Sequence, residues 1–227
     1  MTFRIIVDSP ADPAENMRRD LALLERYAID RVPTVRLYSW SERCFTYGRN
    51  QDREDAFDIR ALVRDQVRVA QRPTGGQVLC HGNDVSYAVV ASCADLGCGH
   101  SVKESYRKIC GCVIAAYYEL GLDASLACDA GLEPFEDDSF CLSGLEAYDI
   151  VVDEKKIGGN AQRRVRDAVL QHGSLPLSFD EDFVAEYVFD LDEEISERIA
   201  VISDFKPKVT AEEVIEALRR SFERYEI

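Results

Sequence analysis

Segments with the two-residue period of strands and segments with the longer period of helices follow one another irregularly along this chain, with no linker between them. A doubly wound sheet needs strict alternation of strand and helix, and a two-domain protein needs a break in composition. The sequence has neither, so the pattern predicts a single α+β domain, a mixed β-sheet flanked by helices. FRIIVDS reads as a strand, and a helix follows from about Ala14 to Tyr27. TVRLYSW and CFTYG read as strands, a helix covers roughly Asp55 to Arg64, and VRVAQR returns to strand. Val102 to Leu120 is the longest helix, with Gly121 as its C-cap. A loop then runs through Pro134 to Ser139. YDIVV, KIGGNAQRR and AVLQHGSLPL read as strands. Thr210-x-x-Glu213 forms a capping box for a last helix that turns Val214, Leu218 and Tyr225 to the core and runs to Ile227.

The 227 residues are 46% hydrophobic, which excludes intrinsic disorder despite a net charge of −15. So acidic a chain is a poor nucleic-acid binder over its whole surface. No apolar run approaches the ~18 residues of a membrane span, and the N-terminus lacks an export pattern, so a cytoplasmic location without membrane contact is expected. In that compartment the eight cysteines are expected as free thiols, most of them buried. Cys110 and Cys112 lie two apart on one helix and are expected on different faces, which argues against a metal pair there.

Two glycine clusters suggest where a ligand could approach the backbone. Thr74-Gly75-Gly76 lies between Arg72 and His81 on an expected strand-turn-strand; it matches neither a dinucleotide fingerprint nor a P-loop. Gly158-Gly159 sits inside a strand-like run, where two residues without side chains weaken packing. The run Lys155 to Arg166 around it holds five basic residues and no acidic one, a local reversal of charge. The histidines are His81, His100 and His172. Ser174 near His172 lacks the G-x-S-x-G elbow, which sets a serine hydrolase aside.

These residues carry a resemblance. Arg72-Pro73-Thr74-Gly75-Gly76, His81 and Val85-Ser86-Tyr87 resemble the R-x-T-G-G…H…L-T-Y motif of the lipoate/octanoate attachment enzymes, members of the biotin/lipoate protein ligase superfamily. Tyr148-Asp149-Ile150, then Lys156-Ile157-Gly158-Gly159-Asn160-Ala161-Gln162-Arg163, resemble the Y-[DE]-[LI]…K-[IV]-x-G-[SN]-A-Q-x-R motif. Val169 to Ser174 is similar to the next block, and Asp8-Ser9, Asn16-Met17, Val35-Arg36-Leu37-Tyr38 and Trp40 agree as well. The resemblance covers nearly the whole chain, and one catalytic domain over residues 1–227, without a C-terminal accessory domain, is what it leads one to expect. It implies an acyl tunnel between the two glycine segments. The substrate-binding residues it implies are Arg72, Thr74, Gly75, Gly76, Gln77, His81, Tyr87, Gly158, Gly159, Asn160, Ala161, Gln162 and His172. Lys156 would position the reacting acyl carbonyl or its sulfur partner.

Two chemistries occur in such enzymes, as the resemblance implies. Transferases pass octanoate from acyl carrier protein, through an acyl-cysteine and without a cofactor, to the lysine of a lipoyl domain. The acceptors are of the 2-oxoacid dehydrogenase or glycine cleavage H-protein type. Ligases use ATP and Mg2+ to form an acyl-adenylate, with lipoate or octanoate as substrate. Cys141 stands seven residues before Tyr148, the spacing of the nucleophile in the C-F-x-x-P-S-W-Y pattern of one transferase type, although the Phe, Pro, Ser and Trp are absent here. A thiolate is both nucleophile and leaving group, as thioester exchange requires. The interval from Gly76 to Tyr87 has the transferase length, while Gly82-Asn83 resembles a ligase pattern. Gln77 replaces the transferase Arg and the ligase Gly. The transferase reading is favoured, and the ligase or its catalytic subunit is the alternative.

Overall fold

The computed structural model describes residues 2–99, 101–135, 142, 144–191 and 194–225. The chain begins with β1 (Arg4–Val7), α1 (Pro13–Asp30), β2 (Thr34–Tyr38) and β3 (Cys44–Tyr47). Next come α2 (Arg53–Ala56), α3 (Ile59–Arg64), β4 (Arg68–Gln71), β5 (Leu79–His81), β6 (Asp84–Ser92) and α4 (Val102–Glu119). After β7 (Ser125–Leu126), β8 (Ile150–Val152) and β9 (Lys155–Lys156) come the long strands β10 (Gly159–Val165) and β11 (Ala168–Pro176). The chain closes with α5 (Glu181–Tyr187), α6 (Ile195–Arg198), α7 (Ile202–Phe205) and α8 (Ala211–Glu223).

The principal sheet has the order β1-β2-β6-β11-β10, parallel between β1 and β2 and antiparallel elsewhere. Alternation of side chains along each strand assigns its two faces. Val35, Leu37, Val85, Tyr87, Val89 and Val169 pack with the apolar sides of α4 and α8. Tyr38, Ala88, Val90 and Leu170 pack instead with Met17, Leu23, Leu24 and Tyr27 of α1. The helices begin where their sequences say. Asp12 caps α1, accepting from the Glu15 amide at 2.9 Å, with Pro13 in the first turn. Thr210 and Glu213 form the expected capping box of α8, which ends at Glu223. Gly121, at φ +89°, takes the left-handed position after α4 that glycine tolerates best.

Three expectations are corrected. The helix expected over Asp55 to Arg64 is two short ones, because Phe57 is extended (φ −135°) and buried in a second core cluster, while Asp58 recaps α3. The Thr74-Gly75-Gly76 segment is not a hairpin turn: β4 and β5 both pair with β3, on opposite sides, in the order β4-β3-β5. Nor is KIGGNAQRR one strand. Lys156 ends β9 of a third sheet, β7-β8-β9, Ile157 and Gly158 connect, and the run from Gly159 belongs to the principal sheet. Gly158 makes the crossing at φ +104°, and a Cβ there would stand 2.2 Å from the Ser174 carbonyl oxygen. Among the described residues no helix is long and apolar enough to cross a membrane.

Candidate active site

Ionisable residues in the middle of a packed strand need partners, because burying an unpaired charge costs several kcal/mol. Arg36, at the centre of β2 and 1% exposed, has three. It donates to Asp20 at 2.7 Å, to Asp8 at 2.7 Å, and to the Asn16 side-chain oxygen at 2.7 Å. Asp20, on the buried side of α1, also accepts from the Tyr38 hydroxyl at 2.9 Å and stands 3.0 Å from His172 Nδ1. The other ring nitrogen, Nε2, lies 2.6 Å from the Thr74 hydroxyl. One continuous chain of polar contacts therefore runs from α1 through β11 to the first glycine segment.

A second network lies beside it. Asp84 Oδ2 is 2.9 Å from His81 Nδ1 and accepts from Ser174 at 2.6 Å, Ser86 at 3.1 Å and the Trp40 indole at 3.2 Å. A carboxylate only accepts, so Nδ1 carries the hydrogen. His81 Nε2 then receives the Thr46 hydroxyl hydrogen at 2.8 Å, and Thr46 in turn accepts from Arg72 at 2.9 Å. Burial pushes the His81 pKa below 6.5 and outweighs the opposing pull of Asp84. Burial works the other way on Asp84, but His81 and the hydrogen-bond donors prevail and hold its carboxyl below 3.8. A neutral histidine beside an ionised aspartate results. The Trp40 ring stacks on His81 at 3.9 Å between centroids, fixing the imidazole plane.

Between this face of the principal sheet and the β4-β3-β5 sheet lies a narrow slot. Of the sequence-predicted residues, Arg72, His81, Gly159, Asn160, Ala161 and His172 line it, together with Met17 and Trp40. A larger open cleft, about 940 Å³ in volume, adjoins the slot and shares Asn160 and Ala161 with it. Gly75, Gly76, Gln77, Gln162 and Lys156 line the cleft. Arg72 ties the first glycine segment down by donating to the Gly75 and Gln77 carbonyls. Gly76, at φ +90°, adopts the left-handed backbone that this loop requires.

Three further predicted residues, Thr74, Gly158 and Tyr87, line neither space. Thr74 acts through His172, and Gly158 makes the crossing between sheets. Tyr87 lies on the opposite sheet face, donating to Asn160 at 2.6 Å and accepting from Gln171 at 2.8 Å. Gln162 donates to Gln171 at 2.7 Å, so a ladder of amides supports the cleft wall from behind.

Lys156 is 5% exposed. Its Nζ lies 2.7 Å from Asp149 Oδ2 and donates to the Gly144 carbonyl at 2.9 Å. Cys141 and His100 lie outside the described residues. The seven described cysteines are free thiols, and none lines the slot or the cleft. Burial pushes Cys80, Cys110 and Cys112 up to about 12, so they stay protonated and unreactive near neutrality. Cys110 and Cys112 face different ways, as expected: Cys110 accepts from Gln171 of β11 at 3.5 Å, whereas Cys112 turns to the Lys108 carbonyl of its own helix, and both are buried in the principal core. The basic run is also less uniform than its sequence suggests. Arg164 donates to Ser101 and Ser105 at the start of α4, while Arg166 lies beyond β10 in a left-handed turn.

Residues 12–223 match the lipoyl protein ligase A/B catalytic domain. The chain belongs to this family. It is 32% identical over 239 aligned residues to the octanoyltransferase LipM of Geobacillus kaustophilus, an alignment covering 98% of this chain and 85% of the relative. Among solved structures, a Thermoplasma acidophilum protein described as a lipoate protein ligase, with bound lipoic acid, superposes with a TM-score of 0.77 at 26% identity, covering 98% of this chain and 84% of that one. A lipoate-protein ligase A bound with ATP gives 0.76 at 25% identity over 98% and 84% of the two chains. The resemblance and the fold class expected from the sequence are both met: this is the lipoyl-ligase catalytic architecture, a mixed sheet flanked by helices.

Sequence reading did not single out Asp20, Arg36, Trp40 or Asp84 as site residues, although they hold the lipoyl-ligase motif histidines in place. A signal existed in Arg36. A charged residue inside the strand TVRLY, where every position proves buried, demands a buried carboxylate elsewhere. Which carboxylate answers it is a matter of tertiary placement.

Proposed function

We propose that this chain moves an octanoyl group from octanoyl-acyl carrier protein to the lysine of a lipoyl-domain acceptor, through an acyl-enzyme on Cys141. The carrying observation is the buried Lys156 at the wall of the cleft, beside the mouth of a narrow, mostly apolar slot. The slot suits a linear acyl tail, and the side-chain-free backbone at Gly75, Gly76 and Gly159 lets the acyl carbonyl approach closely. Arg72, Thr74, His81 and His172 shape the slot, and Gly158, Asn160, Ala161, Gln162, Gln77 and Tyr87 build its mouth and supporting wall.

In the first half-reaction the Cys141 thiolate attacks the thioester carbonyl, the carbon–sulfur bond to the carrier breaks, and the carrier thiol departs with the proton Cys141 gave up. In the second, the acceptor lysine amine attacks the acyl-cysteine. An amide forms, and the cysteine thiol is regenerated with the amine's proton. Each tetrahedral oxyanion develops charge that a fixed cation stabilises, and Lys156 supplies that cation. One such donor is commonly worth ~2.7–4 kcal/mol. Gly144, three residues after Cys141 in the sequence, accepts from Lys156 Nζ, which supports a working pair of thiol and ammonium.

The test is intact-protein mass after mixing with octanoyl-acyl carrier protein. An octanoyl adduct is expected on the wild type and none on Cys141→Ala, which should also fail to acylate a lipoyl domain. Full transfer by Cys141→Ala, or transfer that requires ATP and Mg2+ with free lipoate, would replace this reading with the ligase one.

A further inference from the structure

Three residues of the slot, Leu79, His81 and Ser174, also line a second small cavity. Residues that border both spaces form the partition between them. Two of the three are locked by polar contacts: His81 lies 2.9 Å from Asp84, and Ser174 donates to the same carboxylate at 2.6 Å. Leu79 has no polar side-chain atom and holds its position by packing alone, in the cluster that includes Phe45, Val78 and Leu142. Beyond it the second cavity offers apolar surface from Leu142, Pro176 and Phe179, and a half-exposed Arg43–Asp180 ion pair stands at its border.

We infer that Leu79 is the chain-length stop of the acyl slot, the side chain on which the methyl end of the bound chain abuts. The inference rests on the slot being the acyl site, as proposed above. The mouth lies at Asn160 and Ala161, which the slot shares with the cleft, and the partition lies where the slot meets the second cavity. A chain entering at the mouth and extending inward therefore ends against the partition. Trimming Leu79 joins the two spaces without disturbing the Asp84 network, and a longer chain then crosses. A hydrophobic pocket discriminates about 10–200-fold per methylene, so the opened partition should be plainly visible in selectivity.

Wild type, Leu79→Ala and Leu79→Phe are compared in two assays: calorimetric binding of hexanoate, octanoate and decanoate, and transfer to a lipoyl domain from the corresponding acyl carrier thioesters. Leu79→Ala is expected to raise the decanoate-to-octanoate ratio at least tenfold in binding and in transfer. Leu79→Phe should shift preference toward hexanoate. Cooperative unfolding establishes which variants are folded, and Leu79→Val replaces any that is not, with a smaller shift in the same direction as alanine. Folded variants that keep the wild-type ratios in binding overturn the stop. A shifted binding ratio with no transfer by wild type would refute the octanoyl-transfer reading and leave the stop standing. Transfer by wild type with unshifted ratios would do the reverse.

Discussion

Replacing Lys156 separates two roles that the structure joins in one side chain. Lys156→Ala removes the Nζ that lies 2.7 Å from Asp149 and leaves that carboxylate buried, still accepting from the Glu146 amide at 2.8 Å. Breaking one half of a buried ion pair typically costs ~3–5 kcal/mol. For a protein of this size that corresponds to a fall in Tm of ~6–20 °C. Total stability is usually ~5–15 kcal/mol, so the variant should still fold, with less margin. Activity should fall ~100-fold or more through loss of the cation that faces the oxyanion. The double variant Lys156→Met with Asp149→Leu discriminates the two effects, since replacing a whole buried pair by apolar groups is often neutral or stabilising. Thermal unfolding should recover toward wild type while single-turnover acyl transfer stays ~100-fold down. If transfer recovers together with Tm, Lys156 serves only to anchor the Glu146–Asp149 turn and the catalytic assignment is wrong.

Gly158→Ala places a Cβ 2.2 Å from the Ser174 carbonyl on a left-handed backbone, so a stability loss of at least ~1–3 kcal/mol is expected in urea titrations. Gly75→Ala, whose Cβ would meet nothing within 4 Å, should fold normally, and a raised KM in that variant would report a ligand at the loop. Acid should weaken the fold in two stages. His81, held below 6.5, excludes a proton that the unfolded chain takes up, so stability falls by up to ~1.4 kcal/mol per pH unit as pH drops through 6.5, and Asp84, held below 3.8, extends the loss at lower pH. Urea midpoints that stay flat between pH 7.5 and 5 would contradict a neutral His81. Lys103 is exposed on the cleft and has no carboxylate partner among the described residues, so Lys103→Glu should raise the KM for an acyl carrier protein at low salt and leave a small thioester substrate unaffected. Equal losses on both substrates would show that the residue does not serve docking.

What the sequence made legible, and what it withheld, divides along the range of the interactions concerned. The capping box at Thr210, the C-terminal glycine of α4 and the strand at β11 are local, and each is where the sequence puts it. The glycine segments were legible as places of close approach, but the reason for Gly158 was not. Its neighbours read as one continuous strand, and only the pairing partners, β8 before it and β11 after it, show that the backbone changes sheets there. Phe57 is the same lesson at a helix. Helical period runs through it, yet burial of its ring among Phe45, Tyr47 and Tyr187 outweighs the few backbone bonds that continuing the helix would add. The site follows this rule most closely. His81 and His172 look alike in the sequence, each preceding a glycine at the end of a strand-like run. Their partners are Asp84, three residues on, and Asp20, 152 residues away. The near partner belongs to a self-contained cluster that fixes one imidazole at the end of the slot. The distant one makes α1, through Asp20, a support for the Thr74 loop at the slot's entrance, so the geometry of the acyl site depends on a helix that contributes little more than Met17 to its lining.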